Sequence, residues 1–165
     1  MDIELNQSNK RLVWEFWRDL EAAGHGRGMH NDVEWNGPDP IGRLNGVEAF
    51  ASDFWQPLLH SFPDMTRQTH LFFGGESNGR IDGDLSLDGH MWVTGTGLFT
   101  GTFANDYLTI PATGGQVTIP WGEFCRIDDG AIVDVYFLID LVELMRQAGY
   151  DVLPPILGLM RRRPP

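Results

Sequence analysis

The stretch Gln116–Gly149, QVTIPWGEFCRIDDGAIVDVYFLIDLVELMRQAG, constrains the fold more than any other. Two runs rich in β-branched and aromatic residues flank Asp128-Asp129-Gly130, the chemistry of a tight hairpin, and a short amphipathic segment follows. Side chains alternate between the two faces of a strand. In the first run Val117, Ile119, Trp121, Glu123, Cys125 and Ile127 share one face, so one carboxylate stands on an otherwise apolar surface. A buried carboxylate is costly unless it is paired, hydrogen-bonded or protonated. Glu123 is therefore the first candidate for chemistry or ligand contact. Its competing reading is a structural one, paired with an arginine or bonded by a tryptophan or backbone N–H.

The rest of the chain supplies helices first and strands after. Leu12, Val13, Phe16, Trp17 and Leu20 recur at helical spacing and predict an amphipathic helix over 3–23, stopped by Gly24. Val33 and Trp35 predict a short strand. A second helix is expected from about Asn45, where Asn45 and Glu48 have capping-box spacing. Val47, Phe50, Ala51, Phe54 and Leu58 form its apolar stripe, and Pro57 is expected to kink or end its last turn. A strand over 65–73, a Gly-rich hairpin within 74–89 and a long strand over 91–103 follow. On that long strand Gly95, Gly97 and Gly101 share a face with Val93 and Phe99. Glycines so placed mark a bend under a packed helix or the wall of a ligand cavity, and the bend is the preferred reading. The order predicts an α+β domain over 1–152, a curved, mostly antiparallel sheet covered on one side by helices, with a Pro/Arg-rich tail over 153–165.

A formal net charge of −11 argues against a nucleic-acid or anionic-membrane partner, since both need a basic face. The most apolar stretch, 131–142, is interrupted by Asp134 and Asp140 and is too short to span a bilayer. The single cysteine, Cys125, fits a reducing compartment, and Asp2 and Glu4 precede no leader-like run. The expectation is a cytoplasmic protein. His25, His30, His60, His70 and His90 are scattered without metal-ligand spacing, and His30 and His90 lie near loops that would form a pocket rim.

Five segments together resemble one family. They are Gly46-Val47-Glu48-Ala49-Phe50 leading to Phe62-Pro63-Asp64; Gly97-Leu98-Phe99-Thr100-Gly101; Ile110-Pro111-Ala112-Thr113-Gly114; Arg126-Ile127-Asp128-Asp129-Gly130-Ala131-Ile132; and Asp140 through Arg146-Gln147-Ala148-Gly149. In that order they resemble the nuclear transport factor 2-like cone and, within it, the SnoaL-like polyketide cyclases. The resemblance implies a conical barrel with a central apolar pocket and pairing of copies through sheet surfaces. It also implies intramolecular aldol ring closure with no metal or organic cofactor. The family's proton-handling Asp falls at Phe137, the His of the preceding strand at Glu123, and the His of the G-T-H strand at Phe99, so its acid/base pair is not reproduced. The chain also resembles one half of the family's tandem proteins, which implies a homodimer.

Glu123 is thus the expected proton carrier, with Tyr136 or a tryptophan N–H polarising a carbonyl. Trp35, Phe54, Trp92, Phe99, Trp121 and Phe137 are the candidates for lining an apolar ligand cavity. Asp140 reads as a helix N-cap and Cys125 as an inert buried thiol. Three functions fit: an enzyme moving a proton on an apolar cyclic or polyketide-like small molecule (aldol cyclisation or isomerisation), a binding protein for such a molecule, or a structural dimerisation domain with a filled core. A cavity beside Glu123 separates the first two from the third.

Overall fold

The computed structural model describes residues 2–78, 81–86, 88–150 and 152. The expected tail over 153–165 lies outside them. Helix α1, Ile3–Ala23, begins at Asp2, whose carboxylate accepts from the Glu4 and Leu5 N–H groups, and ends at Gly24 in the left-handed conformation. Its buried residues, Asn6, Asn9, Val13, Phe16, Trp17 and Leu20, fall on one stripe.

Strands β1, Met29–Asn36, and β2, Arg43–Asn45, form an antiparallel pair. Asn45 is spent in this ladder opposite Glu34 and does not cap the next helix. Gly46 holds the cap position without a side-chain bond, which corrects the capping-box expectation. From Gly46 one helical path runs through α2, Val47–Ala49, a π-helical segment, Phe50–Trp55, and α3, Gln56–Ser61. Pro57 does not end this path; it stands in the first turn of α3, directly after the π-helical segment. It has no N–H, and its ring would meet the carbonyl four residues back in a regular helix; the wider π turn just before it relieves that conflict.

Strands β3, Thr66–Glu76, β4, Met91–Thr102, β5, Gln116–Asp128, and β6, Ala131–Ile139, complete a six-stranded sheet ordered β2-β1-β6-β5-β4-β3. Only β1 with β6 is parallel. The predicted hairpin within 74–89 is instead the connection between β3 and β4, whose ladder runs from Thr66 opposite Thr100 to Glu76 opposite Met91. Register shifts in β1, β3 and at Arg126/Ile127 curl the sheet. Helix α1 and the α2–α3 path fill the concave side.

The glycines of β4 record that packing. A side chain at Gly95 would strike the Trp17 ring from α1, and one at Gly97 would strike the Gln68 carbonyl beside the β3 bulge. The bend-and-helix reading holds at both. The hairpin from β5 to β6 turns through Asp129 (φ 49°) and Gly130 (φ 76°), both left-handed, as a two-residue hairpin of right-handed strands requires. Asp140 caps α4, Leu141–Gln147, accepting from the Glu143 N–H at 2.8 Å. The Gln147 amide then donates to the Thr118 carbonyl and accepts from its N–H, serving β5 as a strand neighbour.

Candidate functional site

The predicted alternation of β5 is realised: Val117, Ile119, Trp121, Glu123, Cys125 and Ile127 are all buried on the concave side. Glu123 is 3% exposed. Its partner is Arg67 of β3, whose Nη1 donates to Oε2 at 3.3 Å. Arg67 was not singled out by the sequence. Its side chain is as deeply buried as the carboxylate, and its Nε lies 3.1 Å from Glu21 of α1.

Three rings enclose the Arg67 guanidinium, with centroids at 4.7 Å (Trp17), 5.0 Å (Phe99) and 4.5 Å (Trp121). Each aromatic face attracts the cation, and more so where water is excluded. The Cys125 thiol donates to the other Glu123 oxygen at 3.7 Å. The Trp17 indole N–H also favours the charged carboxylate, although its geometry falls short of a hydrogen bond.

Burial dominates the protonation of this cluster. Desolvation raises Glu123 above the ordinary carboxylate range, against the opposing pull of Arg67. It lowers Arg67 for the same reason and pushes the Cys125 thiol well up, so Cys125 is a weak donor and no nucleophile. Glu21 is raised as well, by burial against the pull of Arg67. The result is a buried carboxyl that holds its proton more tightly than an exposed one, beside a buried guanidinium.

The expected cavity residues divide. Trp35, Phe54, Phe99, Trp121 and Phe137 do meet on the concave side, all at most 4% exposed. They pack against each other: Trp35 and Phe54 at 4.4 Å between centroids, Phe54 and Phe137 at 4.9 Å, Phe99 and Trp121 at 5.6 Å. The space they enclose is largely their own. A cavity of about 70 Å³, lined by Trp14, Trp17, Arg18, Glu21, Arg67 and Thr69, opens between α1 and β3. It has room for roughly two waters, at about 30 Å³ each. It reaches Arg67, and Arg67 stands between it and Glu123.

Trp92 and Tyr136 do not join them. Glu123 pairs with Phe137 and Phe124 with Tyr136, so Tyr136 points to the convex side, where it is half exposed. Trp92 lies beside it, 6.2 Å between centroids. The expected pairing of Glu123 with Tyr136 is thereby corrected: a sheet one residue thick separates them. A larger groove, about 450 Å³, does open on that convex face, lined by Trp92, Phe124, Tyr136 and Phe73, on the opposite side of the sheet from the Glu123 carboxyl.

A curled mixed sheet closed over its own concave face by an N-terminal helix defines the nuclear transport factor 2-like cone. The family model for the SnoaL-like polyketide cyclases matches residues 9–148, and the chain belongs to that family. A SnoaL-like polyketide cyclase candidate from Jannaschia sp. CCS1 superposes with a TM-score of 0.68 at 16% identity, covering 93% of this chain and 99% of that one. IdmH, a polyketide cyclase candidate from Streptomyces antibioticus, gives 0.65 at 18% identity over 86% and 99%. TerC, co-crystallised with polyporic acid, gives 0.59 at 16% identity over 87% and 99%. These identities speak to the fold alone. No curated protein matches the chain.

Proposed function

We propose that this cyclase-family protein moves a proton on an apolar, cyclic or polyketide-like small molecule, with Glu123 as the proton carrier. The observation that carries this reading is a buried carboxyl of raised proton affinity bonded to a caged cation, Arg67, beneath an opening between α1 and β3. In the ionised form Glu123 takes a proton from a carbon next to a carbonyl, leaving an enolate and a neutral carboxyl. The enolate carbon bonds to a second carbonyl carbon of the same molecule, and the resulting alkoxide takes the proton back. The Arg67 guanidinium is placed to hold the negative charge while it rests on either partner. A planar substrate enters only if the rings of Trp17, Trp121 and Phe99 part, because the resting cavity holds about two waters.

Polyporic acid, the compound co-crystallised with TerC, is a suitable first probe. Glu123→Gln is expected to fold, to keep ligand quenching of tryptophan fluorescence and to abolish turnover; a variant that still turns substrate over overturns the reading. The packed rings favour a second reading, a structural dimerisation domain with a filled core. It gains if neither polyporic acid nor any related ring compound changes the fluorescence of the native chain.

The apolar convex face supports the expected homodimer. Phe73, Phe124, Tyr136 and Leu138 are between 43% and 61% exposed there, whereas the open face of an antiparallel sheet is ordinarily polar. A second copy related by a two-fold axis would cover the same residues on both chains. No helix among the described residues is long and apolar enough to cross a membrane. We place the protein in the cytoplasm on the strength of its lone, unpaired Cys125.

A further inference from the structure

A second cavity, about 330 Å³, lies at the start of α1, between its first two turns and the ends of β4 and β5. That volume is at the lower end for a small-molecule site. Its apolar lining comes from Leu5, Met91 and Ile127, and its polar lining includes His90, Asp128 and Asp129. Asn9 faces into it. The residue is 5% exposed overall, and its side chain makes no hydrogen bond to another of the described residues. Its amide atoms are not sealed off but open on the cavity, so water or a ligand held there is what satisfies them. Nothing in the proton-transfer reading uses this place.

We propose that this cavity binds a small primary amine carrying an apolar body, an alkyl- or arylalkylammonium. The ammonium has three donors and no acceptor, and the cavity offers the complement: two carboxylates and the Asn9 Oδ1. No lysine or arginine lines it among the described residues. The opposing field is the positive end of α1, equivalent to about half a unit charge. Asp2 already caps that end, and the two lining carboxylates outweigh what remains. The apolar body rests on Leu5 and Ile127, with the His90 ring as a side wall.

The test is titration of the full chain with phenethylammonium and with its neutral isostere 2-phenylethanol, followed by calorimetry and by the Asn9 side-chain amide resonances. The amine should bind with Kd of about 1 mM or tighter, and the alcohol at least about tenfold more weakly. Asp129→Asn suits the left-handed position it must occupy, and it and Asn9→Leu should each weaken the amine about fivefold or more. Asp128→Asn serves in the same role if either variant loses its dispersed spectrum. Glu123→Gln should leave the amine titration unchanged, which separates this site from the buried carboxyl. The proposal is overturned if the amine gives no saturable heat, if the alcohol binds equally well, or if folded Asp129→Asn and Asn9→Leu bind it as the native chain does.

Discussion

Arg67 and Glu123 carry the only fully buried opposite charges joined by a hydrogen bond among the described residues, and each is the condition for the other. Removing one partner strands the other charge in an aromatic cage. Arg67→Met should therefore destabilise the fold by about 3–5 kcal/mol in urea unfolding, whereas Arg67→Met with Glu123→Leu should recover most of that loss. If the double variant is no more stable than the single one, the pair is not the source of the cost. The pH dependence has a definite sign. Burial raises folded Glu123 above its ordinary 4.5, so the folded state holds this proton more tightly than the unfolded chain does. The stability so contributed is complete below that ordinary value and is lost as pH rises through the folded one. Native and Glu123→Gln unfolding energies measured between about pH 4 and 8 should diverge accordingly, the native curve falling more steeply with pH. Parallel curves would contradict the raised affinity.

At the level of elements, the β3–β4 pair sets the curvature on which the cage depends. Gly97 has no room for a side chain, because the Gln68 backbone occupies the place where one would go. Gly97→Ala should cost about 1–3 kcal/mol, while Gly122→Ala, whose added carbon would sit 3.7 Å from the Thr96 methyl, should stay within about 0.5 kcal/mol. Equal thermal midpoints for the two would remove the β3 bulge as the cause. The strict alternation of β5 made Glu123 legible from sequence, and the helical stripe of α1 did the same for Trp17. Arg67 was not legible. It sits on a strand whose bulge between Thr69 and Leu71 breaks the alternation, so no period marks it as inward-facing. The opposite facing of Glu123 and Tyr136 follows from the pairing of Phe124 with Tyr136, which depends on where the hairpin turn falls. The Asn45 cap failed because a three-residue strand claimed its backbone, and so short a strand carries almost no pattern.

The whole molecule presents two faces of the same sheet with different surfaces. The concave face is closed by α1 and by aromatic rings; the convex face keeps large apolar side chains in solvent. Sedimentation velocity should find a dimer, and Phe124→Lys, a change at a 43% exposed position, should shift it to monomer without altering the circular dichroism spectrum. A native monomer at tens of micromolar, or an unaffected dimer, would argue against pairing through this face. In the proposed reading the proton chemistry rests on the Glu123 carboxyl and the Arg67 guanidinium bonded to it. The direct test is the rate at which deuterium from solvent enters the acidic C–H of a cyclic 1,3-diketone, followed by proton NMR with native protein and with folded Glu123→Gln. The native chain should accelerate exchange over buffer and the variant should return it to the buffer rate; equal acceleration by both, or none by either, would contradict Glu123 as the proton carrier.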